Sequence, residues 1–250
     1  MRYEFDGKVA LVTGASGGIG RATAIGFAKS GAVVLVADVN ADGGNETVAL
    51  IEAAGGTAVF QRCNVADSND VKALVARAVS EFGRLDFAHN NAGINSVMAN
   101  EYDDEIWAKS IAINLTGVML CMREEAEAML KLGGGAIVNT ASINGLVGNP
   151  TQPAYVAGKH GVVGLTRHAA LKHARAGIRV NAVCPGVIET PMTDSVAANP
   201  EIRKIMESMT PMGRMGQPEE IASAVLWLCS DQASFVTGHA MVIDGGATAF

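Results

Sequence analysis

The sequence predicts a single α/β domain in which helices cover both faces of a seven-stranded, mostly parallel sheet. Short apolar segments rich in β-formers alternate with longer segments of helical periodicity along the whole chain. The strand segments are almost continuously apolar, which is typical of strands buried on both sides. No internal repeat or Pro/Ser-rich linker divides residues 1–250, so we expect one domain.

The strands and helices alternate in the order that a doubly wound sheet requires. The seven predicted strands are Val9–Thr13, Val33–Ala37, Ala58–Arg62, Leu85–His89, Ala136–Thr140, Arg179–Val183 and Ala240–Ile243. The predicted helices are 18–30, 42–54, 68–82, 104–131, 153–174 and 218–230. Glycines such as Gly31, Gly83 and Gly177 follow helical segments, where only glycine adopts left-handed backbone at little cost.

The segment 190–217 interrupts this alternation. The stretch Thr190–Pro218, which includes both of these residues, contains four prolines and five methionines and predicts a loop with one or two short helices outside the sheet. A long excursion in a compact domain is usually functional, often as a lid. Its methionines fit ordinary packing or an adaptable wall for an apolar ligand, and in a lid the two interpretations coincide.

Composition excludes several classes of function. Apolar residues make up 49% of the chain and charged residues 18%, so a sizeable core is expected. The net charge of −6 argues against nucleic acid or an anionic membrane as partner. No apolar run approaches the ~18 residues of a membrane span. The first residues lack the pattern of a signal peptide, so we expect a cytoplasmic protein.

No metal site is expected. The four cysteines are widely separated and are interpreted as free thiols. His160, His168 and His173 share one predicted helix but have no accompanying carboxylates, so structural or surface roles are favoured over metal binding. His89, at the end of the fourth strand, is interpreted as a packed core histidine.

A glycine-rich turn joins the first strand to the first helix and indicates a dinucleotide site. It reads Thr13-Gly14-Ala15-Ser16-Gly17-Gly18-Ile19-Gly20, and such a turn lets backbone approach a pyrophosphate at a helix N-terminus. The second strand ends at Asp38, where a carboxylate can accept bonds from ribose hydroxyls. Asp38 would repel a 2′-phosphate, and Ser16 and Val39 supply no positive charge, which favours NAD over NADP. Read alone, Asp38 could also be an ordinary solvated acid.

Tyr155 and Lys159 lie four residues apart on a predicted helix and therefore project from one face. A free tyrosine has a pKa of ~10, and a neighbouring ammonium favours the phenolate. We therefore expect Lys159 to lower the pKa of Tyr155 toward the range useful for general acid–base catalysis. The pattern by itself also fits a surface pair.

Together these motifs resemble the short-chain dehydrogenase/reductase family, in its compact branch, over essentially the whole chain. The matching motifs are the glycine turn, Asn90-Asn91-Ala92-Gly93, Asn114, Ser142, Tyr155-x-x-x-Lys159, Pro185-Gly186, Thr237-Gly238 and Asp244-Gly245-Gly246. The resemblance implies a Rossmann fold and an NAD-dependent oxidoreductase that interconverts a secondary alcohol and a ketone.

The resemblance also implies residue roles. Tyr155 would exchange the proton of the substrate oxygen, Lys159 would lower its pKa and hold the nicotinamide ribose, and Ser142 would bind the substrate oxygen. Asn114 would anchor a water linking Lys159 to solvent, although a purely structural Asn114 fits as well. The implied cofactor-binding residues are Gly14, Ser16, Gly18, Ile19, Gly20, Asp38, Asn64, Val65, Asn91, Ala92, Gly93, Tyr155, Lys159, Pro185, Gly186, Ile188 and Thr190. The implied substrate-binding residues are Ser142, Asn144, Tyr155 and Met192.

The substrate is narrowed but not identified at this stage. An apolar ring or chain suits Ile94, Val97, Ile143, Leu146, Val147 and the methionine-rich segment, which leaves cyclic diols, cyclic alcohols and hydroxysteroids open. The nearest rival is a 3-oxoacyl-thioester (acyl carrier protein) reductase, which usually prefers NADPH. A catalytically silent NAD-binding regulatory protein is the other alternative. Members of the family are usually homotetramers, and the resemblance implies that 104–131 and 153–174 form one interface and the C-terminal strand another.

Overall fold

The chain folds into one parallel sheet between two layers of helices. The computed structural model describes residues 3–95 and 102–249, without the side chains of residues 195 and 196. The strands are β1 (Val9–Thr13), β2 (Val33–Asp38), β3 (Thr57–Arg62), β4 (Phe87–Asn90), β5 (Gly135–Thr140), β6 (Ile178–Pro185) and β7 (Ala240–Ile243). All neighbouring strands pair in parallel, in the order β3-β2-β1-β4-β5-β6-β7. The predicted Rossmann architecture is confirmed.

Helices flank both faces because the strands are apolar on both sides. They are α1 (Gly18–Lys29), α2 (Ala41–Ala53), α3 (Ser68–Phe82), α4 (Asp104–Ile111), α5 (Val118–Leu132), α6 (Pro153–His173), α7 (Pro191–Ala197), α8 (Pro200–Ser208) and α9 (Pro218–Cys229). One buried cluster joins α3, α5 and α6 to the sheet, and a second joins α1, α2 and α9 to its other face. Within the described residues, no helix is long and apolar enough to cross a membrane.

The predicted helix 104–131 is interrupted at its centre. Between α4 and α5 the chain forms a π-helical segment, Ala112–Gly117, which contains Asn114. The side-chain amide of Asn114 donates to Ser110 one turn earlier and bonds both ways to the backbone of Ile94. Single π turns inside α-helices are frequent at functional sites. Periodicity alone does not reveal such a turn, since the flanking residues stay helical.

The fourth strand begins two residues later than predicted. Leu85 and Asp86 precede β4, and the Asp86 carboxylate accepts the backbone N–H of Val9 at 3.0 Å. Arg84 donates to both oxygens of the same carboxylate. Asp86, with its hydrogen bonds to Val9 and Arg84, therefore occupies the position where the apolar pattern predicts strand pairing.

The parallel arrangement brings the carboxyl ends of β1, β4, β5 and β6 to one edge. Strands β2 and β3 lie on one side of β1, and β4 to β7 lie on the other, so the strand order changes direction between β1 and β4. Open α/β sheets bind ligands at such a switch point. Short helices α7 and α8 lie within the segment predicted as a lid. The base of this segment is closed by a bridge between Ile188 and Gly216, and Gln217 donates to Glu189 at 2.8 Å. The segment is thus anchored at both of its ends.

Candidate active site

The glycine turn after β1 is packed against the segment that follows β4. The Asn91 amide donates to the carbonyl of Gly14 at 3.0 Å, and the Thr13 hydroxyl accepts the backbone N–H groups of Asn91 and Ala92. Gly14 has a φ of +63°, and a Cβ there would lie 2.7 Å from the Ala92 Cα. The turn therefore requires glycine both for its backbone conformation and for the close approach.

Replacing Gly20 with alanine is expected to destabilise the protein by about 3 kcal/mol, at the upper end of overpacking costs. The added Cβ would collide with the carbonyl oxygen of Gly14 and lie 2.7 Å from Asn91 Nδ2. Urea unfolding measures this loss. Gly148→Ala is the matched control because a Cβ there meets nothing within 4 Å, and equal midpoints for the two variants would contradict the argument.

Asp38 lies at the end of β2 with its carboxylate held in place. One oxygen accepts the backbone N–H of Ser16 at 3.0 Å, and the other accepts that of Asn40 at 2.9 Å. The guanidinium of Arg21 binds the carbonyl of Ser16 and forms an ion pair with Glu46. The carboxylate therefore lines the cleft with its orientation already set.

Ser142, Tyr155 and Lys159 come together from two different elements. Ser142 follows β5 and accepts the backbone N–H of Asn144 at 3.1 Å, while Tyr155 and Lys159 occupy the first turns of α6. Lys159 is 3% exposed and its ammonium donates to the carbonyl of Thr140 at 2.7 Å. The Nζ lies 5.5 Å from the centroid of the Tyr155 ring. Three groups able to transfer or stabilise a proton thus face one space.

Burial dominates the electrostatics of this pair. Burial raises the pKa of Tyr155, although a hydrogen bond with Ser142 opposes that effect. Burial lowers the pKa of Lys159 to about 8. Desolvation therefore disfavours the charged form of both groups in the chain by itself. The lowering of the Tyr155 pKa by Lys159 stays a prediction.

Asn114 is completely buried and its side chain has three protein partners. Oδ1 accepts the N–H of Ile94 at 2.9 Å, and Nδ2 donates to the Ile94 carbonyl at 3.0 Å and the Ser110 hydroxyl at 3.1 Å. These bonds fix the segment that follows β4. The implied anchoring of a water by Asn114 stays a prediction.

These residues line a cavity of about 540 Å³ at the carboxyl edge of the sheet. Of the predicted residues, the cavity wall contains Gly14, Ser16, Gly18, Ile19, Asp38, Asn91, Gly93, Asn114, Ser142, Asn144, Tyr155, Lys159, Pro185, Gly186, Ile188, Thr190 and Met192. Motif and geometry therefore agree on most of the site.

Four predicted cofactor residues lie outside that wall. They are Gly20, Asn64, Val65 and Ala92. Gly20 and Ala92 are both packed against Gly14 of the glycine turn. The Asn64 side chain accepts the backbone N–H of Ala66 at 3.1 Å, and Val65 is packed against Gly117. A binding role for these four residues stays a prediction.

Sequence reasoning missed three wall residues that carry amides and belong to no motif, namely Asn95, Asn149 and Gln152. Their only sequence signal is position, close to the Asn90–Gly93 motif, to Ser142 or to Tyr155. Met206 and Met209, from the methionine-rich segment expected to suit an apolar substrate, also line the wall. Of the predicted apolar residues, Ile143 lines the cavity, whereas Ile94, Leu146 and Val147 do not, and Val97 lies outside the described residues.

No histidine or cysteine among the described residues lines the cavity, although the Cys184 thiol is close enough to Lys159 and Ser142 to interact with both. Among the described residues no group of three potential ligands could hold a metal ion. His89 is completely buried and bonds to the Thr140 hydroxyl at 2.8 Å, and burial lowers its pKa to about 3. All four cysteines are free and buried.

Known proteins are similar to this chain in sequence and in fold over nearly their full length. A family model described as enoyl-(acyl carrier protein) reductase matches residues 14–248. A cyclohexanol dehydrogenase from an Acinetobacter strain is 48% identical, over 99% of this chain and 98% of that protein. A 2,5-dichloro-2,5-cyclohexadiene-1,4-diol dehydrogenase of Sphingobium indicum is 46% identical, over 98% of this chain and 99% of that protein.

Two further relatives extend the comparison. A 3-oxoacyl-[acyl-carrier-protein] reductase of Thermotoga maritima is 42% identical, over 98% of this chain and 99% of that protein. The crystal structure of a short-chain type dehydrogenase/reductase from Mycobacterium marinum superposes with a TM-score of 0.94 at 39% identity, covering 99% of this chain and 98% of that one. Motifs, fold and cavity agree with these relatives, and the chain belongs to the short-chain dehydrogenase/reductase family as an oxidoreductase that acts on CH–OH groups with a nicotinamide cofactor.

Proposed function

We propose that this protein is an NAD-dependent dehydrogenase of uncharged cyclic secondary alcohols or diols. The observation that carries the proposal is the convergence of Ser142, Tyr155 and Lys159 on a cavity whose outer wall combines amides with methionines. The cyclic-alcohol and diol dehydrogenases among its relatives support the same substrate class.

The residues of the cleft fit a dinucleotide. The closely packed glycine turn has a positive φ at Gly14, and the backbone N–H groups at the start of α1 would bind a pyrophosphate. The Asp38 carboxylate, held by the N–H of Ser16, would accept hydrogen bonds from a ribose. When bound, the nicotinamide accepts or supplies the hydride. Pro185 and Ile188 would surround its carboxamide, and Gly93 would line the adenosine-ribose side; all three residues line the cavity.

Tyr155 handles the proton and its neighbours prepare it. The phenolic oxygen takes a proton from the substrate hydroxyl during oxidation and returns one to the carbonyl oxygen during reduction. In the chain by itself Ser142 favours the phenolate through its hydrogen bond with Tyr155. Its single hydroxyl proton would be donated to the substrate oxygen once substrate binds. Lys159, with a pKa lowered to about 8, can donate or accept a proton close to neutral pH.

The substrate end of the cavity selects an uncharged molecule. Among the described wall residues the only charged side chains are Asp38 and Lys159, and both belong to the cofactor or proton machinery. Asn144, Asn149 and Gln152 offer neutral hydrogen bonds, while Met206 and Met209 supply apolar surface opposite. A ring with one or two hydroxyl groups matches this mixture.

The 3-oxoacyl-thioester reductase is the second candidate, favoured by the Thermotoga maritima relative. Docking of an acidic carrier protein would require available cations near the lid. Arg203 forms ion pairs with Glu189 and Glu207, and Arg214 pairs with Glu220 through two hydrogen bonds. Of the three lid cations, two are thus neutralised, and the exposed Lys204 is the only one of the three without an ion pair among the described residues. This shortage of available cations, together with Asp38, favours the cyclic alcohol.

The deciding experiment follows nicotinamide absorbance with NAD and NADP separately, across cyclohexanol, cyclic diols, a linear secondary alcohol, a hydroxysteroid and an acetoacetyl thioester. We expect turnover with NAD on the cyclic alcohols. Activity confined to NADPH and the thioester would establish the second candidate instead. Cofactor binding with no turnover of any alcohol or ketone would favour a silent regulatory protein.

We further propose a cytoplasmic homotetramer. Trp107 on α4, Leu130 on α5 and Leu171 on α6 are 42%, 45% and 86% exposed, so apolar side chains remain on the helices expected to form one interface. Size-exclusion chromatography with light scattering should give the mass of four chains, and a monomer would contradict the assembly.

A further inference from the structure

A string of polar side chains runs through the core behind the cavity. Glu125 of α5 accepts a hydrogen bond from the Asn90 amide of β4 at 2.9 Å. The same amide nitrogen donates to Asn139 Oδ1 of β5 at 3.0 Å, and Asn139 donates to the Thr166 hydroxyl of α6 at 2.9 Å. All four side chains are at most 2% exposed, so each polar atom needs a partner from the protein or from a buried water.

Two oxygen atoms of this string have no partner among the described residues. They are Glu125 Oε1 and Asn90 Oδ1, which belong to the two side chains already joined through Nδ2. The network fixes the orientation of both amides, because each amide nitrogen donates to two acceptors. Exchanging N and O of Asn90 therefore does not solve the mismatch.

An ionised Glu125 would also lack a compensating charge. The groups that face it are neutral: Cys121 on the same helix, with Cys63 beyond it, and the amides of Asn90 and Asn139. A buried carboxylate without a cation is strongly destabilising. A single proton placed between the two unpartnered oxygens removes both problems.

We propose that Glu125 is a neutral carboxylic acid in the folded protein and that its O–H donates to Asn90 Oδ1. The resulting two-way hydrogen-bonded pair makes Glu125 a positioning residue for the ends of β4 and β5. Burial raises the pKa of Glu125 to about 8, with the bond from Asn90 opposing it, in agreement with this state.

The pair lies directly behind the active-site wall. Asn90 ends β4 and precedes Asn91, which holds the glycine turn, and Asn139 precedes Thr140, whose carbonyl receives the Lys159 ammonium. Loss of the pair would therefore loosen two strand ends that the cofactor site depends on.

The neutral state has a measurable pH signature. Between about pH 4.5, where the unfolded side chain titrates, and about pH 8 the folded chain holds one proton more than the unfolded chain. The unfolding equilibrium constant should rise about tenfold per pH unit in this window because of Glu125. In the folded chain the nearby groups do not titrate there, since burial raises the pKa of Cys63 to about 12, raises that of Cys121 and lowers that of His89 to about 3. In the unfolded chain His89 titrates at its ordinary pKa of about 6.5, and this contribution is the same in the wild type and in the Glu125 and Glu127 variants.

Urea unfolding of the wild type, Glu125→Gln and the exposed control Glu127→Gln at pH 6 and pH 8 tests this signature. An amide at position 125 keeps the two-way pair without a titrating proton. From pH 6 to pH 8 the unfolding equilibrium constant of the wild type and of Glu127→Gln should rise about 50-fold more than that of Glu125→Gln. Parallel pH profiles for wild type and Glu125→Gln would overturn the proposal.

Infrared spectra of wild-type protein with isotope-labelled glutamate keep the test open if Glu125→Gln fails to fold. The C=O band of a protonated carboxyl should be present at neutral pH and disappear in alkali. Its absence at neutral pH would overturn the neutral state.

The positioning role is measured by NAD titration of Glu125→Gln and Glu125→Leu, and this arm rests on the proposed function. Glu125→Gln should bind as the wild type does. Glu125→Leu, which leaves Asn90 Oδ1 without a partner and Nδ2 with Asn139 alone, should bind about tenfold more weakly. Equal binding by the two variants would refute positioning. Absence of NAD binding by the wild type would refute the proposed function, while the urea and infrared results would still decide the state of Glu125.

Discussion

Tyr155→Phe is expected to lower kcat for alcohol oxidation by about 10²- to 10⁴-fold, the usual contribution of a general acid–base. The ring and its contacts are retained, so NAD affinity and the unfolding midpoint should stay close to those of the wild type. Tyr3→Phe is the matched control, because it removes a tyrosine hydroxyl from a ring that stacks on Phe5 outside the cavity. Near-normal turnover of a folded Tyr155→Phe would contradict the assignment of the proton to Tyr155.

The pH profile of the wild type follows from the same site. Burial raises the pKa of Tyr155, so the basic form that oxidation needs becomes more populated as pH rises, and oxidation should be faster at alkaline than at neutral pH. Ketone reduction needs the protonated form and should show the opposite trend. Tyr155 and Lys159 lie side by side, so the measured pKa values belong to the pair. Identical profiles in the two directions would argue against this proton transfer.

The second large effect concerns Asp38 and the choice of cofactor. We expect kcat/KM with NAD to exceed that with NADP by at least about 100-fold, since two like charges about 4 Å apart near a protein surface repel by about 4 kcal/mol. Replacing Asp38 with serine and Val39 with arginine should remove the repulsion, add a cation and reverse the preference. Val39 is 54% exposed, so the new side chain can be accommodated.

Asp42→Asn is the matched control for the Asp38 variants. Asp42 is an exposed acid in the first turn of α2, outside the cavity wall, so its removal changes the net charge equally without touching the cofactor site. Steady-state kinetics with both cofactors make the comparison. An equal shift in cofactor preference for Asp42→Asn would show that overall charge, rather than the Asp38 carboxylate, sets the preference.

The sequence by itself determined the architecture and the inner half of the site. Continuous apolar strands alternating with helices specify a doubly wound parallel sheet. Because the strands are parallel, all of their carboxyl ends lie at one edge of the sheet. The glycine turn, Asp38, Ser142 and the Tyr155–Lys159 spacing carry local requirements of backbone or chemistry, so they are visible without coordinates. The relatives that share these motifs confirm the family that they indicate.

Tertiary structure decided what depends on approach between distant segments. The amides of Asn149 and Gln152 and the lid residue Met206 become wall residues only after α6 and the lid fold over the strand ends. The π turn at Asn114 exists because its side chain bonds Ile94, which lies 20 positions earlier in the chain. Desolvation likewise raises the pKa of Tyr155 and that of Glu125, and local sequence does not reveal this because burial is a property of the packed fold.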